Sequence, residues 1–237
     1  SFTYLGFFDF DRAVAERDRL VSLGYDTMIY EVDAFSTLGL LPDPVASTML
    51  QRSLASLADT ILHELTHATI WRPGDPAFSE SLATFIGRTA GLDFLTLEFG
   101  PESEIVQQAI RDLQDSDRFD GFLMELTAEL QALYATAASY DEKLTRRQEI
   151  IAAAKARFEE QVRPLMHSPQ TYEYVAGFPF NNAFLLVNLR YGTDLDVFAG
   201  VHELTGGSWP ASLEIFRQAA AAPDPFGFLR GVVAGGS

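Results

Sequence analysis

The chain has 237 residues, of which 47% are hydrophobic and 21% charged, a balance typical of a globular protein with a buried core. Its 33 acidic residues outnumber 17 basic ones and give a formal net charge of −16, which argues against nucleic acid or an anionic membrane surface as a partner. The absence of cysteine excludes disulfide bonds and thiolate metal ligands, and no apolar run is long enough to predict a membrane segment.

The first forty residues predict a helix followed by a strand. Asp9 is a typical helix N-cap, and we expect a helix from about Phe10 to Leu23 that ends at Gly24. From Tyr25 to Phe35, side chains alternate between two faces, which is the periodicity of a β-strand. The sequence therefore predicts an α+β fold that is mostly α, with a small N-terminal strand region.

The next predicted helix, over about Ala46–Trp71, carries the motif His-Glu-Leu-Thr-His at residues 63–67. Both histidines lie beside the apolar stripe of this helix, at the edge of its buried face. Because positions i and i+4 share one face, the imidazoles of His63 and His67 can reach one metal ion. Glu64 can then act as general base on the attacking water. The alternative is a solvated helix face or two hydrogen-bonded core histidines.

A second helix follows after a short turn and supplies a third candidate ligand. Pro73-Gly74 closes the first helix, whereas Asp75 and Pro76 suit the N-cap and first position of the next, which is predicted to reach Gly91. Glu80 lies near its start, and the short turn can fold it back toward the two histidines. Two His and one carboxylate with an open fourth position are the ligand set of a catalytic zinc site. Alternatively, a lone Glu in a first turn is simply favourable surface charge.

The remaining segments predict helices without a clear chemical signal. Residues 101–166 predict a long antiparallel helical hairpin with its turn near Ala138–Asp141. The first helix of this hairpin is predicted to stop and begin again at Ser116 or Asp117. We expect this hairpin to be an insertion in a single domain that covers residues 1–237. Three shorter helices are expected near 182–191, 194–204 and 210–221, followed by a frayed tail at 231–237.

The order of these motifs resembles a known family of peptidases. HExxH followed by a separate Glu ligand on a second helix is the gluzincin pattern, and the chain looks more closely like the bacterial family called predicted aminopeptidase. The resemblance implies a zincin-like core with Zn²⁺ held by His63, His67 and Glu80. It also implies Glu64 as the general base and a peptide as the substrate. One departure is Ser79, where the family usually has Asn. The matching stretches are Gly24-Tyr25-Asp26, Ala34-Phe35-Ser36-Thr37-Leu38-Gly39, Asp43-Pro44, the motif at 63–67, Phe78-Ser79-Glu80-Ser81-Leu82-Ala83-Thr84-Phe85, and Asn181-Asn182-Ala183 with Tyr191.

The predicted function is zinc-dependent peptide hydrolysis of the aminopeptidase kind. Tyr191 is the candidate donor to the developing oxyanion, with His202 as the second candidate, although a Tyr in an apolar helix is often a core residue. The chain lacks a Gly-x-Met-Glu-Asn segment, which holds the substrate's free amine in M1 enzymes. The alternative function is a catalytically inactive zinc-binding module or a helical peptide-binding module.

The sequence is compatible with more than one cellular compartment and oligomeric state. The chain begins at Ser1 rather than Met, and members of the resembled family often carry an N-terminal lipid anchor or membrane segment. These features are compatible with a soluble domain, either periplasmic or anchored to a membrane through a segment that this chain lacks. The sequence also leaves open the oligomeric state, the substrate sequence and the choice between exo- and endopeptidase.

Overall fold

The computed structural model describes residues 5–30, 47, 49–191 and 194–236, with the backbone alone at 189–191. Within these ranges the regular structure is helical. Short 3-10 segments lie at Met49–Gln51, Arg163–Leu165 and Pro169–Ala176, and a π-helical turn lies at Phe158–Val162. The α-helices are α1 Phe10–Ser22, α2 Leu54–Thr69, α3 Pro76–Phe99, α4 Glu104–Tyr134, α5 Tyr140–Arg157, α6 Asn182–Tyr191, α7 Leu195–Leu204, α8 Trp209–Ala221 and α9 Pro225–Gly235.

Side-chain caps start several of these helices where the sequence predicts them. The Asp9 carboxylate accepts a hydrogen bond from the Arg12 backbone N–H at 3.0 Å, and Asp75 accepts one from the Phe78 N–H at 3.1 Å. Each bond satisfies one of the backbone donors that a helix leaves unpaired in its first turn. The predicted N-caps of α1 and α3 are therefore confirmed.

The predicted strand at Tyr25–Phe35 is wrong in the part that the structure describes. Residues 25–30 have no regular secondary structure, and residues 31–35 lie outside the described ranges. The Thr27 carbonyl accepts a hydrogen bond from the Asn181 side chain at 2.9 Å. In a sheet, this carbonyl would instead accept a hydrogen bond from the backbone of a neighbouring strand. A strand forms only against a partner strand, and none exists among the described residues. The predicted α+β class, a zincin-like core with a strand region, is thus corrected: the residues that the structure describes form an all-α fold.

The chain divides into two compact units, and the first comprises Ser1–Val32, Gly121–Pro164 and Pro169–Asn188. In this unit two side-chain contacts join α5 to the C-terminal part of α4. Arg157, at the end of α5, contacts the Glu129 carboxylate at 2.6 Å, while Lys143, near its start, donates to the Tyr134 carbonyl at the end of α4. The helix α4 itself continues through the restart predicted at Ser116 or Asp117.

The second unit comprises Asp33–Asp120, Leu165–Ser168 and Leu189–Ser237. In its core, α3 packs against α7, α8 and α9 through a cluster of aromatic and aliphatic side chains. The prediction of a frayed tail from residue 231 is wrong as far as Gly235, because α9 continues to that residue. Leu229 of α9 is completely buried. The single-domain prediction for residues 1–237 stays a prediction. The buried members of the cluster are Ile70, Phe78, Leu82, Phe85, Ile86, Val197, Phe198, Val201, Phe216, Ala219 and Leu229.

Helices α2 and α3 pack antiparallel at very short distance through two glycines of α3. A Cβ atom added at Gly87 would lie 2.2 Å from Oδ1 of Asp59 and 2.8 Å from its carbonyl oxygen, and one added at Gly91 would lie 3.4 Å from the Asp59 backbone nitrogen. The sequence predicts that α3 ends at Gly91, because glycine is a typical helix stop. The structure extends α3 to Phe99, since glycine serves here for close packing rather than termination.

We therefore expect Gly87→Ala to lower the free energy of unfolding by about 1–3 kcal/mol, the typical cost of overpacking a close helix contact. The measurement is thermal or urea unfolding followed by circular dichroism. Gly231→Ala is the matched control, because Gly231 lies in the exposed part of α9 with no atom within 4 Å of the added Cβ. The control is expected to be neutral or stabilising, as alanine favours helix. Equal stability of Gly87→Ala and the wild-type protein would contradict the close approach.

Candidate metal centre

The two histidines of the HExxH motif lie one turn apart on α2, as the sequence predicts. Their Nε2 atoms are 3.2 Å from each other, and the rings meet edge to face with centroids 4.8 Å apart. His67 is buried and also packs against Trp71, with ring centroids 5.5 Å apart, while His63 is half-buried. Both imidazoles therefore present the same nitrogen to the same point beside the helix.

A tight turn returns the chain so that α3 begins next to this point. Gly74 adopts φ +83°, a left-handed conformation that favours glycine. The buried Ser79 hydroxyl then accepts a hydrogen bond from the Arg72 N–H at 3.2 Å and donates one to the Asp75 carbonyl at 3.2 Å. Ser79 thus ties the start of α3 to the turn, directly before Glu80.

Glu80 completes a compact group of three potential ligands. Its Oε2 atom is 3.3 Å from Nε2 of His63 and 3.4 Å from Nε2 of His67. Ligand atoms about 2.0–2.1 Å from a zinc ion at the tetrahedral angle lie about 3.3–3.4 Å from one another, close to the three separations found here. The donor set and its spacing therefore fit a metal ion, and the group could hold one.

The electrostatics of this group favour an ionised carboxylate. Burial on its own would raise the pKa of Glu80, but hydrogen bonds from His63 and His67, together with their charge, lower it to about 2. Glu80 therefore stays anionic at neutral pH, as a carboxylate ligand must. On the far side of the His67 ring, Nδ1 is buried without a hydrogen-bond partner among the described residues, so the polar contacts of this ring concentrate at Nε2.

Comparison of the chain with models of protein families shows to which family it belongs. Residues 1–225 match the family model described as "Putative aminopeptidase", a match that covers the whole three-residue group. The chain belongs to this aminopeptidase family. A search of curated proteins and a search of solved structures each gave no match.

The aminopeptidase family implies a peptide substrate. The role of Glu64 as general base stays a prediction. Glu64 follows His63 directly on α2 and is half-buried. Tyr191 is the last residue of α6, and its side chain lies outside the described part of the structure, so its role stays a prediction. No helix in the described ranges has the length and apolarity needed to cross a membrane.

The other candidate donor, His202, belongs to a separate set of contacts on α7. Its Nδ1 lies 2.9 Å from the Ser212 hydroxyl, and its ring lies against Trp209 with centroids 4.1 Å apart. Phe85 covers a further side, with ring centroids 6.2 Å apart. These contacts match the reading of His202 as an ordinary helix residue, and it is not a member of the three-residue group.

Arg72 supports the site in a way that sequence reasoning misses. Its guanidinium donates to the carbonyl groups of Ala220 at 2.7 Å and Ala222 at 2.6 Å, and it pairs with Asp75 at 3.2 Å. Arg72 therefore connects the turn before α3 to the end of α8. A local signal could not have shown this, because the carbonyl partners are about 150 residues away in the chain.

Proposed function

We propose that this member of the aminopeptidase family is a zinc-dependent peptide hydrolase of the gluzincin type. The observation that carries the proposal is the convergence of two imidazole nitrogens and one carboxylate oxygen, from consecutive helices, within 3.4 Å of one another. Two His and one carboxylate suit zinc, and three protein ligands leave a fourth position free, which is typical of catalytic rather than structural sites.

In this proposal His63, His67 and Glu80 hold the ion. When bound, zinc supplies Lewis acidity and brings the pKa of a coordinated water to about 7. Glu64 accepts a proton from the attacking water while the oxygen of this water forms a bond to the peptide carbonyl carbon. Glu64 then returns this proton to the departing amine when the C–N bond breaks, so that one carboxylate serves as base and acid in turn.

The charge that develops on the carbonyl oxygen requires a hydrogen-bond donor in addition to the metal. Tyr191 is the proposed donor, because its phenol carries an O–H and α6 ends at this residue. A phenol donates this hydrogen bond in its protonated form. This assignment is carried by the sequence and by the position of Tyr191 on α6.

The test is metal-dependent cleavage of a panel of peptides with free and N-acetylated amino termini. We expect the zinc-loaded protein to release amino-terminal residues from the free-amine peptides, to lose this activity after chelation, and to regain it with added zinc. Stoichiometric zinc without cleavage of any peptide would favour a binding module instead. Cleavage that persists after complete chelation would place the catalytic centre away from the three ligands.

A further inference from the structure

Helices α2, α3 and α4 line a cleft of about 210 Å³. All of its lining residues belong to the second unit. Part of the wall is apolar, with Leu92 on α3 and Leu113 on α4. The polar part includes Asp59 on α2, Arg88 on α3 and Asp112 on α4. The cleft therefore combines an apolar surface with carboxylates.

Asp59 links this cleft to the metal centre. It precedes His63 by four residues on α2, so that both side chains lie on one face with their Cβ atoms about 5–6 Å apart. The carboxylate faces the bare backbone of Gly87, where an added Cβ would lie 2.2 Å from Oδ1. The absence of a side chain at Gly87 makes room for this carboxylate between α2 and α3.

The charge of Asp59 is incompletely compensated by the residues that the structure describes. None of the hydrogen bonds or ion pairs among the described residues uses its carboxylate. Burial raises its pKa, although the charges of Arg88, His63 and Arg52 act in the opposite direction. Arg88 itself is occupied by Asp120, at 3.0 Å, and by Asp117, at 3.6 Å. A desolvated carboxylate without a bonded partner gains from a cation that enters the cleft.

We infer that Asp59 binds the free α-ammonium group of the peptide substrate, and that the cleft receives an apolar first side chain. The inference rests on the proposed function and adds the residue that selects for a free amine. In a peptide, the α-nitrogen lies about 2.5 Å from the first carbonyl carbon, and an ammonium–carboxylate bond adds about 2.8 Å. This span is comparable to the rise of one helical turn, about 5.4 Å, which separates Asp59 from the proposed ligand His63 along α2.

Asp112 provides a matched control in the same cleft. It is a second carboxylate on the cleft wall, but it is exposed and already accepts a hydrogen bond from the Gln108 side chain at 2.7 Å. A solvated carboxylate binds a cation weakly, whereas a desolvated one binds it strongly. Asp59→Asn and Asp112→Asn therefore remove the same charge from two environments. Asp59→Ala serves as a second variant should the Asn variant fold poorly.

The first measurement is binding of 3-methylbutylamine and of its neutral analogue 3-methylbutanol to the zinc-loaded protein, followed by NMR titration. This probe has an amine and an apolar chain but no peptide bond, so binding is independent of hydrolysis. We expect the wild-type protein to prefer the amine, Asp59→Asn to lose about 10- to 100-fold in amine affinity, and Asp112→Asn to be unchanged. Equal amine affinity of Asp59→Asn and wild type, or a loss confined to Asp112→Asn, would overturn the inference.

The second measurement is the ratio of kcat/KM for free-amine and N-acetylated leucyl substrates, together with zinc content. We expect Asp59→Asn to reduce this ratio about 10- to 100-fold, mainly through KM, and to retain one zinc per chain. Loss of zinc in Asp59→Asn would make Asp59 a positioning residue for His63 and overturn its assignment to the amine. Absence of hydrolysis by the wild-type protein would contradict the proposed function alone, because the amine titration decides the role of Asp59 separately.

Discussion

Glu64→Gln is expected to lower kcat/KM for peptide hydrolysis by about 100- to 10,000-fold while the protein keeps its metal, because general-base catalysis typically contributes this much. The amide has nearly the same shape as the carboxylate but cannot accept a proton from water. Zinc binding should persist, since the proposed ligand atoms belong to His63, His67 and Glu80. The measurement is steady-state kinetics on a free-amine peptide, combined with metal analysis of the same preparation.

The control for this variant is Glu98→Gln, which makes the same chemical change at an exposed position near the end of α3. We expect this control to match the wild-type protein in activity and metal content. Wild-type activity in Glu64→Gln would remove Glu64 from the mechanism. A loss of zinc together with activity would instead assign Glu64 to metal binding.

His67→Ala is expected to weaken zinc binding more than about 100-fold, so that the purified protein no longer contains stoichiometric metal. The bound nitrogen of His67 is one of only three protein ligands in the proposed site, and even residues that merely support a ligand contribute about 10- to 100-fold to metal affinity. Peptide hydrolysis should fall in parallel. Metal analysis and titration with a competing chelator measure the effect.

His167→Ala is the matched control for the metal measurement. His167 is exposed in the same unit, where its ring lies 2.7 Å from the Gln114 side chain. Its replacement removes one imidazole without touching the three-residue group, and zinc affinity is expected to be unchanged. Full metal retention in His67→Ala would place the ligands elsewhere in the protein.

The grouping of His63, His67 and Glu80 was predictable because each step toward it is local. Helical spacing brings the two histidines to one face. The N-cap Asp75 and the turn at Pro73-Gly74 are equally local signals, and they determine where α3 starts and in which direction it returns. The sequence therefore contains the three-residue group within 18 consecutive residues, from 63 to 80.

Predictions failed where the outcome depends on distant parts of the chain. The alternation after Tyr25 is compatible with a strand, but the pattern does not reveal whether a partner strand exists. Gly91 has the properties of a helix stop, but the backbone of Asp59 lies beside it across the helix pair, and this contact is invisible in a local window. The cap formed by Asp224 and Pro225 at the start of α9 is a local signal, although the helices predicted from the sequence end at Ala221.

The structural role of Asp59 also depends on a residue that is distant in the sequence. In the sequence it is one more polar residue on a predicted helix, without a motif around it. Its significance depends on Gly87, which lies 28 residues later and leaves space for the carboxylate between α2 and α3. Such a pairing becomes visible only after the antiparallel register of the two helices is known.

The most direct test of the metal centre is a crystal structure of the zinc-loaded protein with anomalous diffraction data collected on both sides of the zinc absorption edge. We expect one strong anomalous peak about 2.0–2.2 Å from Nε2 of His63, Nε2 of His67 and a carboxylate oxygen of Glu80. A zinc peak held by other residues, or none at this position in crystals grown with excess zinc, would contradict the assignment of these three residues as metal ligands.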